Sequence, residues 1–187
     1  MKDALIFLIT TFTQLYLLLL LMRFWLPLLR ANFRNPIAQG VLRFTSPAVV
    51  PVRRFIPAIG QVDTATVLVA LLIQIGLITV VLLIDHGAAG VQMVSNAFGR
   101  VVINAFLSLA SMSVTLFIVA IIIRVILSFF QRYFGPLSDM LNEMSEPLMR
   151  PIRRIIPPLG VIDLSAYIAT VLLFALNMVI TDLQLPL

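Results

Sequence analysis

The sequence predicts an all-α membrane protein. Four transmembrane helices form two tandem, parallel hairpins, each with a short interfacial amphipathic helix and a Pro-x-Arg-Arg re-entry turn in its cytoplasmic loop. Three observations carry this expectation. Four long runs carry no charge, arginine gathers in two of the segments between them, and one unusual string occurs twice: PVRRFIPAIGQVD at 51–63 and PIRRIIPPLGVID at 151–163.

The uncharged runs are Ala4–Met22, Thr64–Ile84, Val101–Ile123 and Leu164–Thr181. Each matches the roughly 17–25 apolar residues that a helix needs to cross a bilayer. None contains proline, and none alternates polar with apolar as a barrel strand would. Of the 187 residues, 61% are hydrophobic and only 11% are charged, with a mean hydropathy of +1.10. Soluble domains carry about 45–50% apolar and about 25% charged residues, so lipid is the solvent that this composition suits. The first run lacks a strongly basic start and a small-x-small site, and Arg23 and Trp25 follow it directly, so it reads as a retained span rather than a signal peptide.

The twelve arginines orient the spans. Arg23, Arg30, Arg34, Arg43, Arg53 and Arg54 lie in segment 23–63. Arg124, Arg132, Arg150, Arg153 and Arg154 lie in 124–163, and the 85–100 link holds only Arg100. Short loops rich in Lys and Arg stay in the cytoplasm. Both arginine-rich loops are therefore expected inside, and both termini outside. Contact with anionic headgroups accounts for these bases; nucleic-acid binding is not expected without a groove-reading helix or aromatic stacking platform.

Aligned at an offset of one hundred, Pro36, Pro47, Pro51 and Arg53-Arg54 meet Pro136, Pro147, Pro151 and Arg153-Arg154. Pro57, Gly60 and Asp63 meet Pro157, Gly160 and Asp163, and Arg23 meets Arg124 one residue out of step. The chain reads as a duplicated unit: residues 1–85, an external linker 86–100, and residues 101–187. Each loop begins with a helix. Leu137, Met140, Leu141, Met144 and Leu148 fall on one face of the second, with Asp139, Asn142, Glu143 and Glu146 on the other. Pro51 and Pro57 are expected to break the helix on either side of Arg53-Arg54. Gly60 and Gly160 allow a tight turn, and Asp63 and Asp163 are placed to cap the next span. Arg53, Arg54, Arg153 and Arg154 are the candidate contacts for lipid or a partner.

The pattern Pro-x-x-x-Pro-x-Arg-Arg-x-Ile-Pro-x-x-Gly-x-x-Asp, carried by Ser46-Pro47 through Asp63 and by Glu146-Pro147 through Ser165, resembles the YggT family of small bacterial membrane proteins, which has plastid relatives. The length and two-copy layout match its longer members. The resemblance implies a bacterial inner-membrane protein. It also brings associations with osmotic-stress tolerance, ion homeostasis and the cell-division gene neighbourhood, and in plastids with cytochrome assembly and nucleoid distribution. The first copy departs from the pattern: Thr64-Ala65 follows Asp63, where Ser165 stands two residues after Asp163.

The four runs contain no Asp, Glu, Lys, Arg or His, which argues against a proton-coupled transporter. Their polar residues include Gln14, Gln74, Asn104, Ser108, Ser111 and Asn177. Asn104, Ser108, Ser111 and Thr115 share a helical face. Interhelical packing is the plainer reading of that stripe and a narrow hydrophilic path the sharper one. There is no cysteine, and His86 is the sole histidine, so no metal site, cofactor or catalytic residue is expected and the protein is not read as an enzyme. The expected function is a non-enzymatic membrane scaffold or assembly factor tied to envelope organisation, binding anionic lipid through its arginine-rich face. A cytoplasmic protein partner and a homo-oligomer are the further partners considered. The alternative is an oligomeric channel or transport accessory in osmotic or ion balance.

Overall fold

A computed structural model describes residues 1–60, 62–129, 135–155 and 164–186, with the backbone alone for Phe129 and Ile155. Arg132, Pro157, Gly160 and Asp163 lie outside the described residues. Among those described there are seven helices and no strand: α1 Lys2–Leu28, α2 Pro36–Arg53, α3 Thr64–His86, α4 Ala88–Asn96, α5 Phe98–Phe129, α6 Pro136–Ile155 and α7 Leu164–Asp182.

Helices α1, α3, α5 and α7 are long and apolar enough to cross a membrane. Only 17% of the most apolar stretch of α1, α3 and α7 is buried inside the bundle, against 39% for α5. So much exposed aliphatic surface is costly in water and costs nothing in lipid. Helix α1 packs on α3, α3 on α5, and α5 on α7. The loop helix α2 lies across α1 and α3, α6 lies across α5 and α7, and the two loop helices meet.

All four spanning helices outrun their uncharged runs, α1 and α5 the furthest. Helix α1 continues past Met22 through Arg23 to Leu28, and α5 continues past Ile123 through Arg124. Helix α1 ends in a Schellman turn: Ala31 N–H donates to Leu26 O at 2.9 Å and Arg30 N–H to Pro27 O at 3.1 Å. Arg30 takes the left-handed position (φ 55°) that glycine normally fills, and Ala31 and Leu26 are packed together in the core.

The loop helices correct one expectation. Pro51 does not break the helix; α2 runs through Pro47 and Pro51 to Arg53, and α6 through Pro147 and Pro151 to Ile155. Each proline removes one backbone N–H bond. The losses fall on the exposed side, because Pro47, Pro51, Pro147 and Pro151 all face outward. The opposite face holds: Val41, Thr45 and Val49 are buried at spacings of four, as are Leu141, Ser145 and Met149. The Pro-x-Arg-Arg string is thus the last turn of a packed helix. Of the turn that follows in the first half, Gly60 adopts φ 62° and Ile59 pairs with Val62 through two 3.1 Å backbone bonds.

The 85–100 link also holds a helix. After Gly87 (φ 59°) the chain turns back and α4 packs against α3. At Gly90 the backbones approach so closely that a Cβ would collide with the Leu82 carbonyl. Among the described residues, three apolar clusters form the core. The first joins α1, α2, α5 and α6 around Leu21, Leu26, Leu116 and Met144. The second joins α1, α2, α3 and α5 around Leu17, Leu20, Val49 and Leu109. The third joins α5, α6 and α7 around Ile121, Met149 and Ala169.

Candidate functional site

Two polar constellations stand out against this apolar frame. The first is at the end of the bundle that carries α2 and α6. Arg23, 4% exposed, projects from α1 into the loop helix. Its Nη1 donates to Thr45 Oγ1 at 2.9 Å, Ser46 Oγ at 3.1 Å and Leu42 O at 3.2 Å. Its Nε lies 3.7 Å from Asp63 Oδ2, beyond hydrogen-bond reach, so that attraction is coulombic.

Asp63 is the N-cap of α3 and accepts from Thr66 through its N–H at 3.4 Å and its hydroxyl at 2.7 Å. Arg53 Nη2 also bonds its carboxylate. Burial pushes the Asp63 carboxyl up, but the bonds from Thr66 and Arg53 outweigh it and hold the group below the usual carboxylate range. One carboxylate therefore joins three elements: α1 through Arg23, the end of α2 through Arg53, and the start of α3 as its cap.

The second half builds a related knot. Arg124 Nη1 donates to Ser145 Oγ at 2.8 Å and lies 3.2 Å from Met149 Sδ, while its Nη2 meets Glu146 Oε2 at 3.2 Å. Glu146 also pairs with Arg153 at 3.3 Å and with Arg150 at 3.6 Å. The halves are then tied together. Asn32 N–H donates to Glu143 Oε2 at 2.9 Å, and the Asn35 amide, whose oxygen caps α2, donates to Pro136 O at 2.5 Å.

The candidate arginines thus divide. Arg53 and Arg153 are engaged in ion pairs within the fold, whereas Arg54 and Arg154 are exposed. Gly60 and Asp63 sit in the turn and cap described above. Sequence reasoning did not assign Arg23, Arg124, Thr45, Ser46 or Ser145. The signal was present in the register, since each arginine ends an apolar run and each hydroxyl precedes Pro47 or Pro147.

The second constellation lies among the spans. A cavity of about 350 Å³ is lined by Gln14, Gln74, Ser108, Ser111, Thr115 and Gln184, with Leu18 and Met112. The structure brings Gln14, Gln74, Ser108 and Ser111 together here. Asn177 joins through Ser111 Oγ, 2.6 Å from its Oδ1. Asn104 stands apart and clamps the chain after α7: its amide donates to Leu185 O at 2.7 Å and its oxygen accepts from Leu185 N–H at 2.8 Å. Among the described residues, no group of three or more His, Asp or Glu could hold a metal.

This architecture is that of an all-helical membrane protein with four candidate spans and two ion-paired loop helices. The model of the CCB3/YggT family matches residues 2–84 and 103–184, and the chain belongs to that family. An uncharacterized protein of Pseudomonas aeruginosa is 36% identical over 184 residues, 97% of this chain and 90% of that one. An uncharacterized protein of the proC 3′ region of Vibrio alginolyticus is 32% identical over 98% of this chain and 97% of its own. The uncharacterized protein YggT of Escherichia coli K12 is 32% identical over 96% and 90%. No solved structure matches the chain significantly.

Proposed function

We propose that the protein is a non-enzymatic scaffold of the bacterial inner membrane, built from a tandem duplication of a span–loop–span unit, with both arginine-rich loops in the cytoplasm and both termini outside. The units are residues 1–85 and 101–187. The family model's two separate matched stretches support this reading of the order. One observation carries the function: Arg23 and Arg124 fasten α2 and α6 to the spans, the two loop helices meet, and Arg54 and Arg154 stand exposed at their ends. A rigid, cationic face beside a bilayer suits anionic headgroups, and beyond them an acidic surface on a cytoplasmic partner in envelope organisation.

The protein has no cysteine, which makes a direct test available. Arg54→Cys and Arg154→Cys are each expected to react with a membrane-impermeant thiol reagent from one and the same side, the cytoplasmic one. Labelling from opposite sides would remove the common cationic face. Arg54→Glu with Arg154→Glu is expected to reduce retention of anionic lipid by the purified protein, read by native mass spectrometry. Unchanged retention would remove these arginines from the role.

A second reading, a transport accessory acting as an oligomer in osmotic or ion balance, is favoured by a different observation. Uncharged polar side chains from three spans line one cavity.

A further inference from the structure

The arginines at the loop-helix end are not equally occupied. Arg23 and Arg124 spend their guanidinium groups on hydroxyls, a carbonyl and a carboxylate within the fold. Arg30 does not. Among the described residues its guanidinium has no hydrogen-bond or ion-pair partner. Its backbone makes the choice of residue telling. Arg30 holds the left-handed position of the turn after α1, at φ 55°. Glycine adopts that conformation freely and an L residue only with strain. The turn alone therefore favours glycine, and only the side chain argues for arginine.

That side chain lines a cleft of about 570 Å³ between three elements. The end of α1 supplies Leu29 and Arg30, α5 supplies Arg124, and α6 supplies Glu143, Glu146 and Arg150. The lining thus holds three guanidinium groups and two carboxylates, and the carboxylates are already committed. Glu146 serves Arg124, Arg150 and also Arg153, while Glu143 accepts from Asn32 N–H at 2.9 Å. Arg150 approaches Glu146 only through Nε at 3.6 Å, beyond hydrogen-bond reach, and is 70% exposed. Arg30 and Arg150 therefore bring unused donors and uncompensated positive charge to one cleft, which selects an anion.

Depth selects which anion. Arg124 directly follows the uncharged run that ends at Ile123. On α1 the uncharged run closes at Met22 and the helix at Leu28, so six residues carry Arg30 about 9 Å beyond the hydrocarbon edge. The headgroup layer is about 5–8 Å thick on each side. The cleft spans that layer, where the abundant anion is a lipid phosphate.

We propose that this cleft seats one anionic phospholipid, its phosphate held by Arg30 and Arg150 and its headgroup hydroxyls by Asn142 and Glu143. Guanidinium groups match phosphate with paired donors. The Glu143 carboxylate repels a second phosphate and accepts a hydroxyl, which fits a single phosphodiester with a hydroxylated headgroup, as in phosphatidylglycerol. The seat rests on reading this end of the bundle as the lipid-binding one, as above, but not on Arg54 or Arg154, which do not line it.

The full-length protein, delipidated in detergent, is titrated with phosphatidylglycerol or phosphatidylcholine and observed by native mass spectrometry. One equivalent of phosphatidylglycerol should be retained more tightly than the rest and more tightly than phosphatidylcholine. Arg30→Gly should weaken that equivalent about tenfold, as loss of a charged hydrogen-bond donor implies. Because glycine relieves the strain at φ 55°, the same variant should keep or raise the thermal midpoint, which separates binding from folding. Arg150→Gln should weaken the equivalent similarly. Arg54→Glu with Arg154→Glu should strip weaker equivalents and leave this one.

A tight equivalent that survives Arg30→Gly with Arg150→Gln would overturn the seat, as would equal retention of the two lipids. Loss of the tight equivalent in the Arg54 and Arg154 variant alone would overturn it while upholding the wider cationic face. Displacement of the lipid by an equal concentration of glycerol 3-phosphate would replace the lipid with a soluble phosphate ester and overturn it too.

Discussion

Arg23 and Arg124 both leave an apolar helix just beyond an uncharged run, and both meet a hydroxyl at the same register of a loop helix, Thr45 or Ser145. They differ in where the negative charge comes from. Arg23 faces Asp63, the cap of the following span, and both side chains are nearly sealed, at 5% and 6% exposure. Arg124 faces Glu146, which stands on α6 itself in the register of Ser46, with 19% and 30% exposure. In the first half the acid ties two spans and a loop helix together. In the second, the same charge is spread over a wetter cluster in which Glu146 serves Arg124, Arg150 and Arg153. The duplicated arginine thus sets the need for a carboxylate, whereas the loop sequence decides how dry the resulting pair is.

The two acids should not contribute equally. Asp63→Asn leaves Arg23 buried without its counter-charge and is expected to destabilise by about 3–5 kcal/mol, the cost of breaking a buried pair from one side. Glu146→Gln acts where water reaches both partners and is expected to cost about 1–2 kcal/mol. Denaturation of both variants in one detergent or nanodisc checks this, and equal losses would erase the distinction. Ser46→Glu placed on Asp63→Asn tests whether the loop helix can supply the missing charge. Ser46 Oγ already lies 3.1 Å from Arg23 Nη1, so the new carboxylate copies the second half's solution. It should recover about 1–2 kcal/mol; no recovery would mean that position 46 cannot take over from the cap.

Much of this frame was legible in the sequence, and the reasons are local. The four spans announce themselves because hydropathy summed over about twenty residues overwhelms any single exception. The helical spacing of Leu137, Met140, Leu141, Met144 and Leu148 located the second loop helix. Two things were not legible. Pro51 looked like a breaker because a proline rule knows nothing of faces; only packing reveals that Pro47 and Pro51 point outward while Val41, Thr45 and Val49 hold the other side. Arg23 looked like a topology signal because its partners are 19, 22 and 23 residues away in sequence, and Asp63 is further still. Gln14, Gln74 and Ser108 are legible only as polar faces of their separate helices; their meeting depends on how α1, α3 and α5 pack.

Protonation offers a gentler way to separate the halves. The folded Asp63 carboxyl lies below its unfolded value of about 3.9. Its contribution is therefore complete above about pH 4 and is lost as pH falls through the lower, folded value. Wild type should exceed Asp63→Asn in thermal midpoint by a constant margin from about pH 7 to 5, and the margin should narrow toward pH 3. A margin that widens in acid would show that the folded carboxyl titrates above the unfolded one.

The smallest expected effect concerns what the loop helices turn outward. Helix α2 and the turn after it leave Phe44, Phe55 and Ile59 at 72%, 86% and 73% exposure. Helix α6 buries Met140, Leu141, Met144 and Met149, and its most exposed large apolar side chain among those described is Leu137 at 39%. Aromatic side chains left bare beside a span gain by entering the interfacial layer, so α2 should sit deeper in the leaflet than α6. Trp25 is the only tryptophan, and it is held edge-on against Phe117 at 4.9 Å, so Trp25→Phe gives a silent background. On it, tryptophan at position 44 or 55 should be quenched by lipids brominated near the headgroup, whereas tryptophan in place of Asp139 should stay bright. Stability should move by no more than about 0.5 kcal/mol in each case, which keeps the optical difference a report on position rather than on folding. Equal quenching on both helices would mean that the two loops ride at one depth despite their different faces.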